Sequence, residues 1–226
     1  MIMSLFNQFE IPRLLGVPLL LLALTIPALL MPARSTLKPN QITMIRLWLV
    51  KLLTKHLNLP MKQQGHKWAL PLTALTLLLL MNNMLGLLPY TFTPPAQLAF
   101  SLGLALPLWL MTVITGLRNQ PTCTLGHLLP EGAPSILAFP LVIIETASLI
   151  IRPIALGVRL AANLTAGHLL VQLISMTTLT LINITPAIAI LTTIILILLT
   201  ALEVAVAAIQ AYVFSILLSL YLQENI

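Results

Sequence analysis

One arginine, Arg159, sits inside an apolar run that reads A-L-G-V-R-L-A-A-N-L-T-A-G-H-L-L over residues 155–170. A guanidinium stays protonated at any physiological pH, and holding it at bilayer depth costs from about 2.5 to above 10 kcal/mol, so packing alone is a poor reason for it. The same run carries Asn163 and His168, Glu145 precedes it, and a later apolar run carries Glu203 and Gln210. Carboxylates and imidazoles exchange protons, whereas a guanidinium does not. Arg159 with His168, Glu203, Glu145, Asn163 and Gln210 therefore suits a proton pathway with a permanent electrostatic block at its middle.

These residues need apolar elements to hold them. Of the 226 residues 59% are hydrophobic and 7% charged, which excludes a soluble domain. The apolar runs are long, Leu-rich and without two-residue alternation, so the expected fold is an all-α integral membrane protein and not a barrel. A single cysteine, Cys123, excludes an internal disulfide framework. The net charge is +6, and eight of the eleven Lys and Arg lie between Arg13 and Lys67. Membrane orientation explains that cluster better than a partner-binding tail does.

In chain order, residues 14–31 read as a first span, retained and not cleaved as a signal. Residues 41–58 form an amphipathic helix with Ile45, Leu49, Leu53 and Leu57 on one side and Lys51 and Lys55 on the other, suited to the membrane surface or to a neighbouring subunit. Residues 68–88 and 97–116 are the next two spans, and 117–134 reads as a loop rich in Pro and Gly. Residues 135–179 and 186–223 are too long for a simple span, at roughly 65 and 55 Å if helical, so each is either broken, with Pro140 and Pro153 as breaks in the first, or strongly tilted. About five membrane helices and one surface helix result, in a single membrane domain. Loop charge places the 34–67 segment and the Arg118 loop on the positive side and the link near Pro94 on the other.

N-I-T-P at 183–186 offers Thr185 as an N-cap and Pro186 as the first helical residue, so the last two runs should form an antiparallel hairpin that turns there, on the uncharged side. Facing residues then have numbers summing to about 369. Arg159 falls opposite Gln210, His168 opposite Glu203, and Glu145 opposite Glu224. By helical geometry His168 lies on the other side of its helix from Arg159, while Glu145, Arg152, Arg159 and Asn163 share a stripe. Arg152 and Glu224, near run breaks or ends, read as interfacial. An internal ion pair of Arg159 with Glu145 would have to bridge roughly 20 Å along the helix.

Other chemistries lack residues. There is no glycine-rich phosphate loop, no H-E-x-x-H and no Asp, so no nucleotide-hydrolysing site, no metal and no bound cofactor is expected, although His168 with Glu203 leaves a metal pair open. Nucleic acid is not an expected partner. A proton-coupled secondary transporter or antiporter-like respiratory subunit is the alternative class; it should show two related repeats, and none is visible.

Three motifs carry a resemblance over essentially the whole chain: A-L-G-V-R-L-A-A-N-L with A-G-H after it (155–168), E-V-A-V-A-A-I-Q-A-Y-V-F (203–214) and N-N-M-L-G-L-L-P (82–89). The chain resembles the subunit a family of rotary F-type ATP synthases, in its mitochondrial form. The resemblance implies a non-catalytic stator subunit of the inner mitochondrial membrane, with basic loops in the matrix and the N-terminus in the intermembrane space. Its partners would be a ring of c subunits, each with a membrane carboxylate, the peripheral-stalk subunit b, other small membrane subunits, protons and the bilayer. Arg159 would meet the ring carboxylate and separate two half-channels. His168 and Glu203 would line the inlet, Asn163 and Gln210 the ring-facing site, and Glu145 the outlet. Bacterial members exchange carboxylate and His at the two inlet positions, and the arrangement here fits the mitochondrial version.

Overall fold

The computed structural model describes residues 9–14, 16–29, 40–58, 63–88, 91–119, 121–126 and 138–225. His127, Glu131 and the rest of 127–134 in the expected 117–134 loop lie outside these, as do the side chains of Arg46, Cys123 and Glu224. Seven α-helices appear among the described residues: α1 Leu19–Leu29, α2 Gln41–Asn58, α3 Ala69–Gly86, α4 Leu98–Asn119, α5 Pro121–Gly126, α6 Ala138–Ile184 and α7 Pro186–Asn225. Two-residue strands β1 (Arg13–Leu14) and β2 (Val17–Pro18) pair antiparallel around Gly16, whose φ of 82° suits glycine. Four helical stretches are long and apolar enough to cross a membrane: Gly65–Gly86, Leu98–Asn119, Phe139–Ile184 and Pro186–Gln223. The eleven-residue α1 is shorter than a span needs. The protein is thus an all-α membrane protein whose last two helices are long and pack together.

Neither proline breaks α6, which runs for 47 residues. Pro140 lies in its first turn, where the missing N–H has no helical acceptor, and Pro153 is buried within the helix at the loss of one bond. Thr185 alone joins α6 to α7: its N–H donates to Leu181 and its carbonyl accepts from Ala189. The Thr185 hydroxyl makes no cap bond, so the N-cap role falls to the backbone and to Pro186. Part of the expected loop is the short helix α5, opened by Pro121 at a position where proline favours helix. Threonines on the exposed faces of the apolar helices donate to their own preceding turn, as Thr180 does to the carbonyl of Thr177 and Thr200 to that of Ile197, which satisfies hydroxyls that face outward.

The chain forms two compact units. One comprises Met1–Pro32, Leu78–Phe100 and Arg159–Tyr212; the other comprises Ala33–Leu77, Ser101–Val158 and Val213–Ile226. In the second unit Leu57 of α2, Leu72 of α3 and Leu218 and Leu222 of α7 form a buried cluster with Trp68 and Leu108 against it. Small residues Ser101, Ala105, Thr112 and Gly116 line the inner side of α4, and Gly157 of α6 meets α4 at Ser101 and Leu102. α2 leaves Met44, Ile45, Leu47 and Trp48 exposed beside exposed Lys51 and Lys55. In the first unit the end of α3 meets α7 at Asn83 and α6 meets α7 at His168 and Glu203, and this is where most of the chemistry-bearing residues lie.

Candidate functional site

On α6 the inward positions are Leu160, Ala161 and Leu164, and the outward ones are Arg159, Ala162, Asn163 and Ala166. The spacing follows the 3.6-residue period, so the buried leucines fix which way Arg159 points. Arg159 is exposed at the surface of the chain. Among the described residues it has neither an ion-pair nor a hydrogen-bond partner, and Asn163, one turn on, has none either.

On α7 the inward positions are Glu203, Ala207, Gln210 and Ala211. Glu203 and Gln210, seven residues apart, share that inner face, at 9% and 7% exposure. The antiparallel register brings Glu203 to His168, with Nδ1 3.6 Å from Oε1, a little beyond hydrogen-bond length. Gly167 makes the approach possible, because a Cβ there would stand 2.9 Å from the same Oε1. Gln210 is inward and Arg159 outward, and no hydrogen bond joins them.

Two asparagines at the end of α3 complete the site. Both are 1% exposed, and Asn83 Nδ2 donates to the carbonyl of Ala207, one turn of α7 beyond Glu203, at 3.1 Å. Neighbouring polar atoms stay unpartnered among the described residues: Asn82 Nδ2, Asn83 Oδ1, His168 Nε2, Gln172 Oε1 and Glu203 Oε1 are all buried without a hydrogen bond. Each such group costs about 1–3 kcal/mol if kept dry, so the concentration of five in one unit is unusual for a packed core. The sequence placed His168 opposite Glu203 and showed Asn82 and Asn83 as the start of the N-N-M-L-G-L-L-P motif without a role, and Gln172 was missed. The signal for Gln172 was present, four residues after His168 on the same helical face.

Glu145 lies in the other unit. Its Oε1 is 3.7 Å from Arg152 Nη2, seven residues on along α6, and the Arg152 guanidinium sits over the ring of Tyr221 on α7 at 5.5 Å from the centroid. Arg152, read from sequence as interfacial, thus holds the carboxylate and an aromatic at once. Among the described residues no three His, Cys, Asp or Glu gather as a metal would need.

Fold and site together define a class: a multi-pass helical membrane protein with a carboxyl–imidazole pair buried between its long hairpin helices and a lone arginine on their outer surface. Comparison with known proteins narrows it. The family model described as ATP synthase A chain matches residues 15–223. The chain is 59% identical over 225 residues to "ATP synthase F(0) complex subunit a" of Struthio camelus, with 99% of each chain covered. It is 59% identical over 227 residues to the protein of that name from Salmo salar, with 100% of each covered, and 60% identical over 225 residues to that of Anas platyrhynchos, with 99% of each covered. The chain belongs to the ATP synthase A chain family.

Proposed function

We propose that this chain is the stator proton-channel subunit in the membrane sector of a mitochondrial ATP synthase, and that Arg159 couples proton passage to movement of a partner. The observation that carries the reading is the unpaired Arg159, exposed on the apolar surface near the middle of α6. A permanent cation there is stable only opposite an anion, and the chain offers none within reach among its described residues. The counter-charge comes from outside: a carboxylate on each subunit of a c ring that presents itself to Arg159 in turn. Asn163, outward beside Arg159, completes the ring-facing side, while Gln210 lies inward on α7 on the face of Glu203.

His168 and Glu203 form the entry half-channel. Asn82 Nδ2, Asn83 Oδ1 and Gln172 Oε1, buried without a partner in the same unit, are atoms that water satisfies, and a hydrated polar seam is what carries protons to a buried carboxylate. Glu203 takes the proton and passes it to the ring carboxylate, which in neutral form tolerates lipid. After the ring has turned, Arg159 favours the ionised form of that carboxylate, and its proton leaves through the exit half-channel at Glu145. Because Arg159 cannot release its own proton, the two half-channels do not short-circuit. Basic loops face the matrix, the N-terminus the intermembrane space, and subunit b and small membrane subunits flank the chain in the inner membrane.

Arg159→Ala tests the reading. The complex is expected to assemble, to lose proton-driven ATP synthesis, and to leak protons passively in inner-membrane vesicles. Coupled synthesis retained in that variant overturns it.

A further inference from the structure

His168 uses one ring nitrogen on Glu203 and leaves the other without a partner. Nδ1 stands 3.6 Å from Glu203 Oε1, while Nε2 is buried and unbonded. One turn along α6, on the same face, Gln172 Oε1 is also buried and unbonded. Residues four apart on a helix are neighbours, about 5–6 Å between Cβ atoms, so a donor and an acceptor that each lack a partner lie within reach of one another. Among the described residues no hydrogen bond accounts for the Gln172 amide oxygen: its sequence neighbours Leu170, Leu173 and Ile174 are apolar, and an apolar residue of its volume would fill the space without stranding an oxygen.

We propose that Gln172 is a positioning residue of the proton path: its amide oxygen accepts a hydrogen bond from His168 Nε2–H and so holds the imidazole in the tautomer whose Nδ1 lone pair faces Glu203. This rests on the entry-channel reading above. The two nitrogens of a neutral imidazole differ, and the bond made by one sets the role of the other. With the proton kept on Nε2, the Nδ1 lone pair accepts a hydrogen bond from the protonated Glu203 carboxyl and orients it, whereas the opposite tautomer turns an N–H toward Glu203 and leaves the carboxyl proton without that acceptor. The imidazole passes on no proton itself: Glu203 binds one from the hydrated seam and releases one to the c-ring carboxylate, and His168 keeps its own on Nε2. Gln172 lies nearer the α6–α7 turn at Thr185 than His168 does. Among the described contacts Glu203 is the titratable group that meets His168; the groups that α3 brings to this seam, Asn82 and Asn83, are neutral.

The test compares three variants in the assembled synthase in inner-membrane vesicles, with ATP synthesis driven by an acid–base jump and read against entry-side pH. Gln172→Leu keeps volume and removes the acceptor; synthesis should fall about tenfold, equivalent to about 1.4 kcal/mol in a rate barrier, with the profile displaced toward lower entry-side pH. Gln172→Glu keeps an acceptor and should hold most of the rate. His168→Ala separates the two readings. Loss in His168→Ala with an unchanged rate and profile in Gln172→Leu overturns the role of Gln172 alone, and normal synthesis in His168→Ala overturns the entry channel itself. Equal loss in the Leu and Glu variants also overturns the proposal. If the Leu variant does not assemble, Gln172→Met, of similar length without an acceptor, takes its place; a wild-type profile there overturns the role equally.

Discussion

Gly167→Ala separates packing from conduction, because one methyl group acts on the two in opposite directions. A Cβ at Gly167 would lie 2.9 Å from Glu203 Oε1, 3.3 Å from its Cδ and 3.4 Å from its Cγ. All three atoms belong to the end of a flexible side chain, so the carboxylate yields and not the helices. It must retreat by about 0.5 Å to regain ordinary contact, and the retreat takes it off its 3.6 Å approach to His168 Nδ1. The helix gains meanwhile, since Ala is about 0.8–1.0 kcal/mol better than Gly in a helix interior. A misplacement of about 1 Å between reacting groups can cost around 100-fold, so half that distance is worth about tenfold, or about 1.4 kcal/mol in the barrier. The variant should assemble at wild-type levels on a native gel and synthesise ATP about ten times more slowly after an acid–base jump. Adding Glu203→Asp, which draws the carboxylate back by a further methylene and so further from His168, should recover none of the rate. Wild-type synthesis by an assembled Gly167→Ala complex refutes the reasoning, and failure to assemble shows that the clash is borne by backbone.

Gly157→Ala should behave oppositely, because its Cβ would stand 3.2 Å from the Ser101 carbonyl and 3.3 Å from Leu102 Cα, and backbone does not retreat. A cost of about 1–3 kcal/mol is expected as a lower thermal midpoint and less assembled complex, with normal synthesis per complex that remains; unchanged stability contradicts it. Arg152→Met removes the cation that Glu145 and Tyr221 share. The ion pair is partly exposed and solvent-screened, so stability should move by less than about 1 kcal/mol while synthesis falls several-fold; a large thermal shift with unchanged synthesis counts against a role in proton release.

What the sequence made legible was whatever helical periodicity controls. Two facing helices advance equally per residue, so the turn at Thr185 alone was enough to set His168 against Glu203, and the structure brings them to 3.6 Å. The same arithmetic put Glu203 and Gln210 on one face and His168 away from Arg159. Proline left two readings open, a broken run or one long helix, because its position matters more than its presence: Pro140 falls in a first turn and Pro153 in a packed interior, and α6 passes both. The contacts of Asn83 and Gly167 depend on where a third helix docks and how far a side chain reaches, which no spacing reports. Arg152 is an intermediate case. Its stripe with Glu145 was visible, but the Tyr221 ring that caps the pair comes from α7.

Why the outward charge should be an arginine follows from where it points. The carboxyl and imidazole of the seam lie between helices, where neutral forms are tolerated and protons come and go. Arg159 points away from that seam, among Val158, Ala162 and Ala166, onto a surface that the described residues leave exposed. A lysine in such surroundings sheds its proton readily and would turn into a relay between the two sides, whereas a guanidinium keeps its charge and offers a fork of donors. Had Arg159 an internal carboxylate, the pair would be neutral and inert. On the function proposed above, Arg159, unpaired among the described residues and beside alanines small enough for another helix to come close, draws its anion from a partner that passes over that face, and each exchange of partner is a step that a neutral surface could not drive.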